Sequence, residues 1–176
     1  MGTARENGVF RIATWNLERC SSRAWRKASL QQERMALVDA DIWVLTETFV
    51  DRSPGDDFDA AFSPSYPERR PNPDERWVGI WSRWPIVRLD DPAPHRRGSV
   101  ATMVTTPMCP LVVYGTVIPY HSDQAHDDGR AARAWEVHAA TIERQADEWH
   151  RIRRLHPGIP LIVAGDFNQA RSGRPR

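Results

Sequence analysis

Pro160-Leu161-Ile162-Val163-Ala164-Gly165-Asp166-Phe167-Asn168 is the stretch on which the fold turns. An aliphatic run bounded by Pro and Gly reads as an interior strand. In layered α/β proteins, ligand sites gather beyond the ends of such strands. Asp166 and Asn168 are therefore expected to face a site, presenting a carboxylate and an amide.

Working outward from that run, the chain alternates strand and helix patterns. Residues 9–17 alternate Phe10, Ile12 and Thr14 with Arg11, Ala13 and Trp15 before reaching Asn16, a strand that ends on polar groups. Ser21 or Ser22 is placed to cap a helix running to about Asp39, with Trp25, Ala28, Leu30, Met35, Leu37 and Val38 near helical spacing. Asp41 opens the apolar run Ile42-Trp43-Val44-Leu45, a second interior strand ending at Thr46-Glu47-Thr48. Residues 51–76, rich in Pro, Asp and Arg, read as one long surface loop. Strand signals follow at 77–82, 86–89, 99–105 and 111–117, separated in part by turns, as in an antiparallel meander. A helix is predicted from Arg130 to about Leu155, with Trp135, Ala139, Ile142, Ala146, Trp149 and Ile152 as its apolar stripe. This alternation implies a layered α/β domain with helices covering sheet faces.

The bulk composition excludes several classes. The chain has 176 residues, 40% hydrophobic and 27% charged, proportions of a globular protein rather than a disordered one. No stretch has the length and apolarity of a transmembrane helix, and residues 1–8 lack the apolar core of a signal peptide, so the expected address is cytoplasmic. Cys20 and Cys109 form neither a metal pair nor a disulfide framework. Net charge is +1, and of the 24 Lys and Arg residues only Lys27 is lysine, which a coding bias explains. Oligomeric state is not written in these patterns.

Three strand ends thus carry Asn16, Glu47, and Asp166 with Asn168. Singly, each has an ordinary structural explanation, such as an Asn in a turn or a Glu at a cap. Together, in this order, they read as one site. A hard cation such as Mg²⁺ takes oxygen ligands and keeps several waters, so one or two carboxylates plus substrate phosphate suffice. Glu47 suits that role, with Asn16 as a neutral oxygen donor or an orienting group. Asp166 is the candidate base for an attacking water, and Asn168 can hydrogen-bond a phosphate without adding negative charge. Trp84 and the Arg69-Arg70 pair are candidates for substrate contact from loops.

Thr14-Trp15-Asn16-Leu17, Asp41 to Glu47, and Gly165-Asp166-Phe167-Asn168 together resemble the endonuclease/exonuclease/phosphatase superfamily. Trp77-Val78-Gly79-Ile80-Trp81-Ser82-Arg83-Trp84-Pro85-Ile86 also resembles that family's Gly-x-x-x-x-Ser-Arg-x-Pro-Ile stretch, so the likeness runs along nearly the whole chain. The resemblance implies a four-layer αββα sandwich and hydrolysis of phosphodiesters or phosphomonoesters with Mg²⁺, or Mn²⁺ in its place. It implies Glu47 and Asn16 at the metal, and Asp166, Asn168 and His121 in catalysis, with Tyr120 as the alternative to His121. His121, Asp123, His126, Asp127 and Asp128 otherwise read as a solvated polar loop. The family also carries a Ser-Asp-His-like segment near its C-terminus, and this chain has no Asp-His step. The expectation is one domain over residues 1–176 that lacks its closing C-terminal strands, exposes an edge and is impaired in turnover. The alternative is a non-catalytic fragment or binding remnant. Nuclease, sphingomyelinase and inositol-phosphate phosphatase relatives share these motifs. The lean is toward a nuclease-like or general phosphodiesterase, with nucleic acid as a partner.

Overall fold

In a computed structural model, which describes residues 9–21, 23–65, 72–89, 98–122 and 131–169, the aliphatic run forms a strand. The elements in chain order are β1 (Ile12–Asn16), α1 (Trp25–Val38), β2 (Ile42–Phe49), β3 (Asp59–Phe62), β4 (Glu75–Ser82), β5 (Ile86–Arg88), β6 (Ser99–Thr105), β7 (Pro110–Val117), α2 (Glu136–Leu155) and β8 (Leu161–Asp166). They build two four-stranded sheets, ordered β1-β2-β4-β3 and β5-β6-β7-β8. In each sheet one terminal pair is parallel, β1 with β2 and β7 with β8, while the remaining pairs are antiparallel.

The side-chain period of two in a strand sorts the apolar residues into layers. Ile42, Val44, Val78 and Ile80 of the first sheet meet Val100, Val104, Leu111, Val113 and Val117 of the second between the sheets. Trp43, Leu45 and Trp81 point the other way and pack with Met35 of α1. On the far side Ala101, Val112 and Tyr114 pack with Ile152 of α2. Helix, sheet, sheet and helix therefore stack as the expected αββα sandwich. β2 is apolar without alternation because both of its faces are covered. Full burial of each such side chain contributes about 1.5–3 kcal/mol.

Gly115 sets how closely the sheets approach. A Cβ added there would lie 2.6 Å from Val78 Cγ1 and 3.2 Å from both Ile80 Cγ1 and Val44 Cγ1. Glycine's hydrogen is the largest substituent that fits against Val78 at this position.

The structure corrects several local expectations. Residues 51–76 are not one loop, for they contain β3, an edge strand paired with β4. The turn at Arg83-Trp84-Pro85 does not join neighbours in a meander, because β4 and β5 belong to different sheets. Ser82 Oγ accepts the Trp84 N–H at 3.0 Å, and Arg83 binds Asp39 at 2.8 Å, fixing that crossing. α1 has Ala24 at its N-cap with no side-chain cap bond, so Ser21 does not cap it, and Ser22 lies outside the described residues. Its buried positions are Ala28, Gln31 and Met35, while Trp25, Leu30 and Leu37 are exposed. α2 starts at Glu136 and buries His138, Thr141, Gln145 and Ile152, a face displaced from the apolar stripe. Thr116 Oγ1 donates to Gln145 Oε1 at 2.8 Å, which satisfies two of the polar groups enclosed there.

Gly115→Ala should destabilise the fold by about 1–3 kcal/mol through overpacking. The urea unfolding midpoint should fall with the m-value unchanged, and an unaltered midpoint would show that the sheets can separate without cost.

Candidate functional site

β1 packs over β8 across the sandwich, so the ends of two strands from different sheets meet. Asn16 closes β1 and Asp166 closes β8, while Glu47 follows Thr46, the register partner of Asn16 in β2. The Asn16 amide nitrogen uses both hydrogens. It donates to Asp166 Oδ2 at 2.9 Å and to Glu47 Oε1 at 3.2 Å. Asn16 Oδ1 accepts the Glu18 N–H at 2.8 Å, so only one assignment of the amide oxygen and nitrogen satisfies all three partners. A neutral side chain thereby bridges two carboxylates that would otherwise repel one another.

The Gly165-Asp166-Phe167-Asn168 turn is held by its own polar groups. Asp166 Oδ1 accepts the Asn168 N–H at 2.9 Å, and Asn168 Nδ2 donates to the Ile118 carbonyl at 2.8 Å. The Ile118 N–H returns a 2.9 Å bond to the Asp166 carbonyl. Gly165 has φ +140°, and a Cβ there would fall 1.9 Å from the Thr116 carbonyl oxygen of its partner strand. No other residue fits. Left-handed backbone also occurs at Glu18 (φ 51°), Arg19 (52°), Glu47 (48°) and Asn168 (48°). Such angles at non-glycine residues gather where the surroundings impose them.

Arg19 joins this group without any signal in the sequence patterns. Its backbone N–H donates to the Glu47 carbonyl at 2.9 Å. Its Nε lies 3.5 Å from Glu47 Oε2 and 3.2 Å from Glu75 Oε1, and its guanidinium carbon sits 4.7 Å from the centre of the Trp77 ring. One arginine among many in a polar stretch carries no period and no spacing that marks it. Nearby, Lys27 Nζ lies 2.7 Å from Glu18 Oε2, and that hydrogen bond, reinforced by the lysine charge, holds the Glu18 carboxyl below the usual glutamate value.

His121 lies three residues beyond Ile118, but its ring packs against Trp135, with centroids 5.3 Å apart. Among the described residues, none of its hydrogen bonds or ion pairs reaches Glu47 or Asp166. Trp135 in turn meets His138, which is buried with Nδ1 2.6 Å from the Pro119 carbonyl. Tyr120 is 55% exposed. Trp84 packs edge-on against Phe10, away from these groups in the core between the sheets. Arg69, Arg70, Asp123, His126, Asp127 and Asp128 lie outside the described residues. An open cavity of about 470 Å³, lined by Ser63, Ser65, Arg76 and Arg88 among others, occupies the β3–β5 edge, the opposite side of the sandwich from Asn16 and Asp166.

The donor set suits a hard divalent cation. Among the groups joined by these contacts, the carboxylates of Glu47, Glu75 and Asp166 stand against the single guanidinium of Arg19. Two negative charges are left uncompensated, and an ionised carboxylate has about four lone-pair sites, so Glu47 and Asp166 keep acceptor capacity beyond Asn16. No group of three or more His, Cys, Asp or Glu that could by itself hold a metal ion occurs among the described residues.

No curated protein matches the chain in sequence. Solved structures match its fold. The endonuclease domain of TRAS1, a telomere-specific non-LTR retrotransposon, superposes with TM-score 0.60 at 15% identity, covering 93% of this chain and 62% of that one. Sphingomyelinase C from Streptomyces griseocarneus gives 0.60 at 17% identity, with 91% and 64% covered. A beta toxin variant from Staphylococcus aureus, F277A and P278A with bound magnesium ions, gives 0.65 at 14% identity, with 94% and 67% covered. This chain therefore spans under two thirds of the endonuclease domain and of the sphingomyelinase. The model of the endonuclease/exonuclease/phosphatase family matches residues 13–176, and with the αββα layers and the strand-end polar residues already described, the chain belongs to that family.

Proposed function

We propose that this chain is a Mg²⁺-dependent phosphoesterase acting on phosphodiester bonds, with nucleic acid as the substrate class and Mn²⁺ able to replace the ion. The observation that carries the reading is the Asn16 amide joining Glu47 and Asp166 from different sheets at adjoining strand ends. Likeness to an endonuclease domain and to a structure with bound magnesium supports it at the level of fold.

In this reading Glu47 holds the ion, and Asn16 orients Glu47 and Asp166 through its amide hydrogens while its oxygen, bound by the Glu18 N–H through one lone pair, keeps the other for the ion. When bound, the ion supplies neutralisation of the non-bridging phosphate charge. Asp166 takes a proton from the attacking water, whose oxygen forms the new bond to phosphorus. The bond from phosphorus to the leaving oxygen breaks, and that oxygen takes its proton from solvent. Asn168, whose backbone is pinned to Asp166, offers its remaining amide hydrogen to a phosphate oxygen. His121, or the exposed Tyr120 beside it, stabilises phosphate charge from the loop that leaves Ile118. Residues 1–176 are taken as one domain that carries these groups.

A second reading is a non-catalytic binding remnant that keeps the layered scaffold and turns nothing over. Turnover decides between them. The purified chain should cleave a simple phosphodiester such as bis(p-nitrophenyl) phosphate in Mg²⁺ and lose that activity in EDTA. Glu47→Ala should abolish it, and Asp166→Asn should lower kcat by about 10²–10⁴-fold, the range for loss of a general base. Wild-type activity indifferent to EDTA and to both substitutions would refute the reading, while Mg²⁺ binding without hydrolysis would favour the remnant. Comparing nicked plasmid DNA with sphingomyelin as substrates then tests the substrate class.

Asn16→Ala should lower metal-free stability by about 1–3 kcal/mol, because it leaves two half-buried carboxylates facing each other without their shared donor. Denaturant unfolding in EDTA measures this directly, and an unchanged midpoint would mean that the bridge carries no net stabilisation.

A further inference from the structure

We propose that Arg19 is the positioning residue for Glu47, fixing the plane of its carboxylate, and that Trp77 and Glu75 hold Arg19 in turn. The inference rests on the reading of Glu47 as the metal-holding carboxylate. Its evidence is independent of that reading. The two oxygens of Glu47 have different partners, Oε1 taking the Asn16 amide at 3.2 Å and Oε2 lying 3.5 Å from Arg19 Nε. A hydrogen bond on one oxygen and a cationic charge beside the other restrain rotation about the carboxylate's terminal torsion, which is otherwise broad.

Arg19 reaches this place because Glu18 and Arg19 are both left-handed, with φ 51° and 52°, which turns the chain back over β2 after β1 ends. The same turn delivers the Arg19 N–H to the Glu47 carbonyl at 2.9 Å, so backbone and side chain engage one residue. Glu47 is itself left-handed and is skipped in the β2–β4 register, which passes from Thr46↔Val78 to Thr48↔Arg76. The residue it would have faced is Trp77. The Trp77 ring carries the guanidinium 4.7 Å from its centre, and Glu75, two residues earlier in β4, closes the far side at 3.2 Å from Nε. The Nε atom is buried and has no aligned hydrogen bond, so it is held by charge and by the ring rather than by a directional bond.

Two effects of Arg19 on metal binding oppose each other. Its charge repels a cation, whereas fixing Glu47 presents lone pairs already oriented for one. Arg19→Lys separates them, because lysine keeps the charge but lacks the planar face that stacks on Trp77. Removal of residues that orient ligands typically weakens metal affinity by about 10–100-fold. Isothermal titration of folded protein with MgCl₂ should accordingly give a Kd about tenfold or more weaker for Arg19→Lys than for wild type. Trp77→Leu, which changes no charge, should also weaken binding, and the double variant should be no weaker than the worse single variant because Trp77 acts through Arg19. Wild-type Mg²⁺ affinity in Arg19→Lys, or additive losses in the double variant, would overturn this inference alone. Failure of the wild-type chain to bind Mg²⁺ would instead remove the metal reading of Glu47, and the inference with it.

Discussion

At Gly115 the second sheet presents backbone where a side chain would stand, and Val44, Val78 and Ile80 close directly over it. That contact sets the spacing of the sandwich, and the polar site depends on the spacing. β1 and β8 come from different sheets, and residues 150 positions apart in sequence share a hydrogen bond only because the sheets sit at this distance. A wider gap would leave the Asn16 amide able to reach one carboxylate and not the other. The apolar interior and the polar site are thus one geometric problem, solved by a glycine remote from the chemistry.

The opposite end of the sheets has a mechanical part. Arg83 binds Asp39 and approaches Asp41, while Asp41 Oδ2 accepts the Arg11 N–H at 2.8 Å. These contacts tie the starts of β1 and β2 to the point where the chain crosses from one sheet to the other. The far ends of the same strands carry Asn16 and Glu47. On the outer face, Gln31 of α1 donates to the Leu17 carbonyl at 3.1 Å, so the helix anchors the residue immediately after Asn16. A polar residue in a buried helix face therefore serves the site at one remove.

The fold was legible because it rests on short-range regularities. Pro160 and Gly165 bound the aliphatic run of β8, and β2 is continuously apolar because helix and sheet cover its two faces. β3 was hidden because Asp59–Phe62 is a short edge strand, half exposed, with too few apolar residues to show a period. The phase of α2 was misread because its buried face uses His138, Thr141 and Gln145, polar groups that find partners only in the folded protein. Asn16, Glu47, Asp166 and Asn168 could be proposed from their places at strand ends, and the hydrogen bonds tie the first three to one another and the fourth to Asp166. Arg19 could not, since its position depends on two left-handed residues and a skipped strand pair that no periodicity announces.

Of the left-handed non-glycine residues, Asp39 and Trp135 cap helices, whereas Glu18, Arg19, Glu47 and Asn168 surround the site. Each such backbone costs about 1–3 kcal/mol, which the surroundings must offset. Set against a typical total of about 5–15 kcal/mol for a domain, that concentration is a sizeable local cost. A ligand present at a hundred times its Kd returns about 2.7 kcal/mol, comparable to the cost of one or two of these residues. The packed sheets behind this corner thus carry most of its backbone cost, and a ligand bound in front would add to what holds it in place.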